Sequence, residues 1–317
     1  MLRKIDWEKQ IGRRMRLRDL HVFSTVVRLG SMAKAAQELG VSQPSVSEVI
    51  ADLEHALGVR LLDRKSQGVE ATVYGAALDR RSVAAFDELR QSIRDIEYLA
   101  DPGTGELRLG CPESISAALL QPVVEQFMKR YPQVVLDVDT VNTLSFAQKL
   151  RDRELDVVLA RGGWPLEAAD LVNDMQVETL FDDELVIAVG RQSPWARRRK
   201  IDIAELRDEP WILTAADVWN YRVIADAFRQ RGAEPPGVVM KTISVHLRTN
   251  LAASGRYITT FPRSVMLLYA ERFGLKQLPI DLPGAGWPIK MATLRNRTLS
   301  PVVERFIDCA RTVAKSL

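Results

Sequence analysis

Cysteine is nearly absent: the 317 residues contain two, Cys111 and Cys309. So wide a separation gives neither a disulfide framework nor a metal-ligand spacing, and both read as buried free thiols. A redox role for Cys111, beside an expected strand end, is the alternative, although nothing nearby in sequence visibly lowers its pKa. Histidine is equally scarce, with His21, His55 and His246. There is no zinc spacing, no Gly-x-Ser-x-Gly elbow and no phosphate-binding loop, so no catalytic residue, metal site or cofactor is assigned. No apolar run approaches the roughly 18 residues of a membrane helix. The opening Met1-Leu2-Arg3-Lys4-Ile5-Asp6-Trp7 also lacks the apolar stretch of a secretory signal, which makes the cytoplasm the expected location.

What is present is a mixed, globular composition, 46% hydrophobic and 27% charged, in a chain long enough for two or three domains. Charge is distributed unevenly. Residues 1–82 hold 14 Lys and Arg against 10 Asp and Glu, whereas the remainder holds 30 against 31. The basic excess therefore sits at the N-terminal end and hints at a polyanionic partner.

Residues 1–15 do not fit the periodicity that follows and read as an extension. From Leu17, Leu20, Phe23 and Val27 recur at helical spacing, and Leu29-Gly30 ends that helix. Ser31 is suited to cap a second helix whose apolar face is Ala35, Ala36 and Leu39. Gly40-Val41-Ser42 is a tight turn, and Ser42 opens a third helix with Pro44 in its first turn. Val46, Ile50, Leu53 and Leu57 form its buried stripe, and Gly58 stops it. Two short extended pieces, 61–64 and 69–72, flank the polar turn Lys65-Ser66-Gln67-Gly68 and read as a β-hairpin wing.

Residues 73–100 carry one long helical pattern. Phe86, Leu89, Ile93 and Ile96 are spaced three and four apart, the seam of a pairing helix, and Asp101-Pro102-Gly103 marks a hinge. Beyond Gly105 strands and helices alternate: strands near 107–110, 134–138, 156–160, 185–189, 211–213, 238–241, 258–260 and 289–293, with helices between them. Such alternation predicts a parallel, helix-covered sheet.

The N-terminal residues carry a specific resemblance. Leu17-Arg18-Asp19-Leu20-His21-Val22-Phe23, Gly30-Ser31-Met32-Ala33-Lys34-Ala35-Ala36, Leu39-Gly40-Val41-Ser42-Gln43-Pro44-Ser45-Val46-Ser47 and Leu53-Glu54-His55-Ala56-Leu57-Gly58-Val59-Arg60-Leu61-Leu62-Asp63-Arg64 resemble the LysR-type transcriptional regulators. Leu62 departs from the Phe usual in that family. The resemblance is dense over 17–75 and looser beyond, where Arg297-Thr298-Leu299-Ser300-Pro301 also looks familial.

It implies an α/β protein with an N-terminal all-α winged helix-turn-helix, a long linker helix and a two-subdomain effector half similar to periplasmic binding proteins. The expected domains are 16–72 for DNA binding, 73–102 for the dimerising linker and 103–317 for the effector half. Subdomain I takes about 103–180 and 284–317, subdomain II about 181–283, with crossings near Glu178–Asp183 and Pro279–Trp287. Implied partners are double-stranded DNA, a small-molecule effector and further copies of the chain, as a dimer that assembles to a tetramer. RNA polymerase is a further candidate partner, and no membrane is expected.

A recognition helix enters the major groove by its N-terminal end. Ser42, Gln43, Pro44, Ser45 and Ser47 lie there: Gln pairs with adenine, Ser with bases or phosphates, and the helix N-terminus favours phosphate. Arg18, Ser31, Lys34, Arg64 and Lys65 complete the expected DNA-binding set, the last two at the wing. In the effector half, loops at strand ends would face the cleft. They contribute Ser114, Asn142, Arg161 and Trp164 from one subdomain and Thr214, Trp219, Ser244 and Phe261 from the other. Arg161 and the hydroxyl-bearing loops favour an anionic or sugar-acid effector. The competing readings are a regulator with an empty, unresponsive cleft, an enzyme built around His246, and a helix-turn-helix used for protein contacts.

Overall fold

The computed structural model describes residues 15–65, 68–101, 103–140, 145–161 and 174–317. The expected extension, the tip of the wing at Ser66-Gln67, Asn142 and Trp164 lie outside the described residues, as does the Arg64 side chain. Two compact units divide between Ile93 and Arg94.

The N-terminal unit begins with α1 (Leu17–Leu29), α2 (Met32–Leu39) and α3 (Gln43–Leu57). A hairpin of β1 (Leu62–Lys65) and β2 (Gly68–Ala71) follows, and then α4 (Val73–Ala100), within which the boundary falls. The three helices close on one apolar cluster formed by Phe23 and Val26 of α1, Ala35 of α2, Val46, Ile50 and Leu53 of α3, and Leu61. Leu20 and Val27 sit at its rim, so the buried face of α1 is turned slightly from the expected stripe, onto Val22, Phe23 and Val26. Gly40, at φ +65°, makes the turn between α2 and α3 in the left-handed region open to glycine. Thr72 caps α4, its Oγ1 accepting from Gly75 N at 3.1 Å and donating to Arg60 O at 2.8 Å. Gly75 lies against the backbone that leads into β1: a Cβ there would stand 2.0 Å from Leu61 O.

The second unit is a mixed sheet. Subdomain I holds β3 (Thr104–Gly110), β4 (Gln133–Asp139) and β5 (Val157–Arg161), with β3 central and parallel to both neighbours. A helical run, α5, spans 113–130 and contains a π-helical turn at Ser116–Leu120. Short α6 (Phe146–Arg151) precedes β5. β6 (Met175–Gly190) then crosses to subdomain II, built from β7 (Trp211–Leu213), α7 (Trp219–Gln230), β8 (Val238–Lys241) and α8 (Val245–Ala253). It continues through β9 (Ile258–Pro262), α9 (Arg263–Tyr269) and β10 (Leu275–Gln277). β11 (Gly286–Leu294) returns the chain to subdomain I, and α10 (Pro301–Ala314) ends it.

The sheet is therefore not parallel throughout, as alternation alone predicted. β11 runs antiparallel to β5 and β6, and β6 antiparallel to β9 and β10. A chain that leaves one subdomain and comes back must run in opposite directions on its two crossings. β6 is one strand through the crossing: it pairs with β11 as far as Glu184 and with β9 from Leu185.

Asp156 anchors the start of β5. Its side chain, 1% exposed, accepts from the Arg108 backbone at 2.9 Å and from Arg108 Nε and Nη2 at 3.2 and 2.8 Å. Arg297 Nη2 approaches at 2.7 Å from the segment before α10. Burial alone would raise the Asp156 pKa, but the two guanidinium groups hold it below the ordinary value. A depressed folded pKa means this stabilisation is complete above the ordinary aspartate value of 3.8 and is lost as pH falls through the lowered one. Asp156→Asn removes the negative charge facing buried Arg297 and half-buried Arg108 and is expected to cost about 3–5 kcal/mol in a urea melt. In the other unit, Gly75→Ala forces α4 away from Leu61 and is expected to cost about 1–3 kcal/mol, read by thermal unfolding.

Candidate functional site

Two surfaces collect the expected residues. On the N-terminal unit, Ser42 Oγ accepts from Ser45 N at 3.3 Å and lies 2.9 Å from Ser45 Oγ, so the two hydroxyls together cap α3. Pro44, in the first turn, sacrifices no helical hydrogen bond. Ser42, Gln43, Pro44 and Ser45 are all exposed, while Ser47 turns inward with its hydroxyl 3.4 Å from Met32 Sδ. Ser31 caps α2, accepting from Lys34 N at 3.4 Å, and the Lys34 and Arg18 side chains are exposed. Lys65 pairs with Glu70 inside the wing at 2.5 Å; both are well exposed, so the pair is weak and open to exchange for a phosphate.

One supporting residue was missed. Glu54, on α3, accepts from the backbone N–H groups of Leu61 and Leu62 at 2.7 and 3.2 Å. Its carboxylate fixes where the wing begins relative to α3. The sequence signal was a lone acidic residue beside the buried stripe, which solvation explains equally well.

The second surface lies between the subdomains, where Arg161 ends β5. Its guanidinium carbon stands 5.2 Å from the ring centre of Trp219 and 5.1 Å from that of Trp287, and the two rings meet edge-to-face at 4.8 Å. Nη1 donates to Asn220 Oδ1 at 2.6 Å. Burial lowers the Arg161 pKa, partly offset by the charge of Asp183, yet no carboxylate lies within ion-pair distance of Arg161 among the described residues. Nε1 of Trp287, in a side chain 6% exposed, has no acceptor among the described residues. The centre thus presents one unpaired donor and a desolvated cation, and wants an acceptor with negative charge.

Trp219, expected on a loop, opens α7 instead. Asn220 and Trp287 were missed: one reads as a helix polar residue and the other as strand core. Thr214 is buried at the end of β7, its Oγ1 without a partner among the described residues. Ser114 is half-buried at the start of α5, and Ser244 caps α8. Phe261, expected to face the cleft, is fully buried in the apolar cluster of subdomain II, with the Arg248 guanidinium 5.2 Å over its ring. Cys111 is the buried free thiol expected of it, and burial pushes its pKa up to about 12, which argues against the alternative of a reactive thiolate. Among the described residues no cluster of His, Cys, Asp and Glu could hold a metal ion. No described helix is long and apolar enough to cross a membrane.

Comparison with known proteins decides the family. A model described as "LysR substrate binding domain" matches residues 100–315, and one described as "Bacterial regulatory helix-turn-helix protein, lysR family" matches 17–76. The chain belongs to the LysR family. This LysR-type transcriptional regulator is 28% identical over 243 residues to the HTH-type transcriptional regulator TdcA of Escherichia coli K12, covering 77% of this chain and 76% of that protein. It is 27% identical over 297 residues to the HTH-type transcriptional regulator YybE of Bacillus subtilis 168, covering 92% and 97%. A full-length OxyR variant from Pseudomonas aeruginosa superposes with a TM-score of 0.61 at 22% identity, over 95% of both chains. Full-length CbnR complexed with its target DNA gives 0.51 at 23% identity, over 95% of this chain and 100% of that one. At these identities the solved structures establish the shared fold.

Glu54→Ala strips the Leu61 and Leu62 amides of a charged acceptor. The expected loss is about 1.5–3 kcal/mol of stability in the N-terminal unit, measured by chemical denaturation of the full chain.

Proposed function

We propose that this LysR-type regulator reads a dyad-symmetric DNA site and is controlled by a small anionic effector, a carboxylate or sugar acid, held at Arg161. The observation that carries the effector class is the Arg161 centre: a desolvated guanidinium between Trp219 and Trp287, without a carboxylate among the described residues, beside the unpaired Nε1–H of Trp287. A planar anion would supply the missing charge, and the indole faces would hold its body. Thr214, Ser114 and Ser244 are the hydroxyls expected to select among such anions.

DNA reading rests on residues 16–72. Exposed Gln43 and Ser45 at the start of α3 would face base edges, with Ser42, Lys34, Arg18 and the wing residues Arg64 and Lys65 on phosphates. Pairing rests on residues 73–102: Leu89, Ile93 and Ile96 of α4 are 46%, 57% and 65% exposed, an apolar seam left uncovered on a single chain. Two such helices would set two recognition helices on one dyad, and residues 103–317 would join dimers into a tetramer. The effector acts by favouring one quaternary arrangement over another.

Calorimetric titration of the full chain with carboxylate and sugar-acid metabolites should reveal a ligand whose binding falls at least tenfold in Arg161→Ala, with operator binding retained. Binding confined to neutral or cationic metabolites would sink the reading. On the selected operator, Gln43→Ala should lose about 1–3 kcal/mol of discrimination at one base pair. Lys34→Ala should weaken all sequences alike and reduce the salt slope by about 1.

A further inference from the structure

A second anion-seeking centre in the effector half is already filled, by the chain itself. Helix α8 opens subdomain II's face with Ser244 as its cap, Oγ accepting from Leu247 N at 3.3 Å. The two amides left over, Val245 N and His246 N, donate at 2.9 and 3.3 Å to Oε1 of Glu113, and Ser244 Oγ lies 3.4 Å from the same oxygen. Glu113 is not a neighbour in sequence. It is the first residue of α5, carried on the loop after β3 in subdomain I.

One turn into α8 stands Arg248, 2% exposed. Its guanidinium donates only to carbonyls, those of Ser244, Thr260 and Ile243, and has no carboxylate within ion-pair distance among the described residues. A helix N-terminus and a buried guanidinium add up to a strongly positive place. The one carboxylate that answers it among the described residues comes from the opposite subdomain. The same helical run also places Ala118 in the apolar cluster of Val186, Ala188, Val245 and Phe261, so α5 grips subdomain II by one charged and one apolar contact. The apolar contact falls within the π-helical turn, and such turns recur at functional sites.

We propose that Glu113 is an internal ligand: its carboxylate fills a carboxylate-binding site at the N-terminus of α8 and latches the two subdomains together while no effector is bound. An external carboxylate reaching this site must displace Glu113, which frees α5 to move against subdomain II. This rests on the reading that the space between the subdomains is the effector site, and it adds a second point at which a dicarboxylate or sugar acid could engage.

The test is chemical rescue in the full-length protein. Glu113→Ala should melt lower by about 5 °C, and sodium acetate or formate should recover at least half of that fall relative to sodium chloride at equal ionic strength. Wild type should respond alike to acetate and chloride, because its site is occupied. Glu113→Gln keeps an acceptor and loses the charge, so it should fall between the two and be rescued less. The proposal is overturned if Glu113→Ala melts with wild type, or if acetate and chloride act alike on it. If that variant does not fold, the same comparison is made on Glu113→Gln, and equal action of the two salts there overturns it. Effector titration of Arg161→Ala is scored separately, so a failure of the functional reading leaves the rescue result standing, and the reverse.

Discussion

Strand β6 must serve both halves of one sheet at once, and the arrangement of the effector half depends on that constraint. Its first part pairs with β11 and its second with β9 and β10. Because the strand is continuous, the subdomains share hydrogen-bonded backbone where they join. Asp183, at the change of partner, accepts from the backbone and hydroxyl of Ser264, which ties the start of α9 to the crossing. Burial raises the Asp183 pKa against these hydrogen bonds, so the crossing is held by a carboxylate kept at some electrostatic cost.

Buried charge is handled in three different ways. Asp156 is over-answered, by Arg108 and Arg297, and serves as a structural anchor. Arg248 is answered by backbone carbonyls and, at a distance, by Glu113. Arg161 is answered by two aromatic faces and one amide. Cation–π contacts of this kind contribute about 0.5–2 kcal/mol each, well short of the cost of desolvating a guanidinium without an anion. The order of decreasing compensation runs from Asp156 through Arg248 to Arg161, which is the order in which an incoming anion would gain by binding.

The DNA-binding unit was legible almost residue by residue. Its elements are short, their caps are local and its turns need particular residues: Ser31, Gly40, Ser42 and Gly58 each act within a few positions of themselves. Amphipathic spacing then named most of the core, with Leu20 and Val27 at its rim. The effector half was legible as a list of strands and helices but not as a sheet. Strand direction depends on where the chain crosses, and alternation of elements does not carry that. Arg161 stood out because a cation at a strand end is conspicuous; of the residues that make its surroundings, Trp287 reads as core and Asn220 as an ordinary polar residue of a helix.

By itself the sequence determined the helix-turn-helix, its caps and the apolar seam of α4, because periodicity and turn chemistry are local properties; the two-subdomain plan was implied by the resemblance to LysR-type regulators. The tertiary structure alone decided which charges meet. Glu113 and Val245 are 132 positions apart, and Arg161 and Asn220 are 59. No local pattern encodes such pairs: they exist only once β6 and β11 have set one subdomain against the other, and burial then determines what each charge must find.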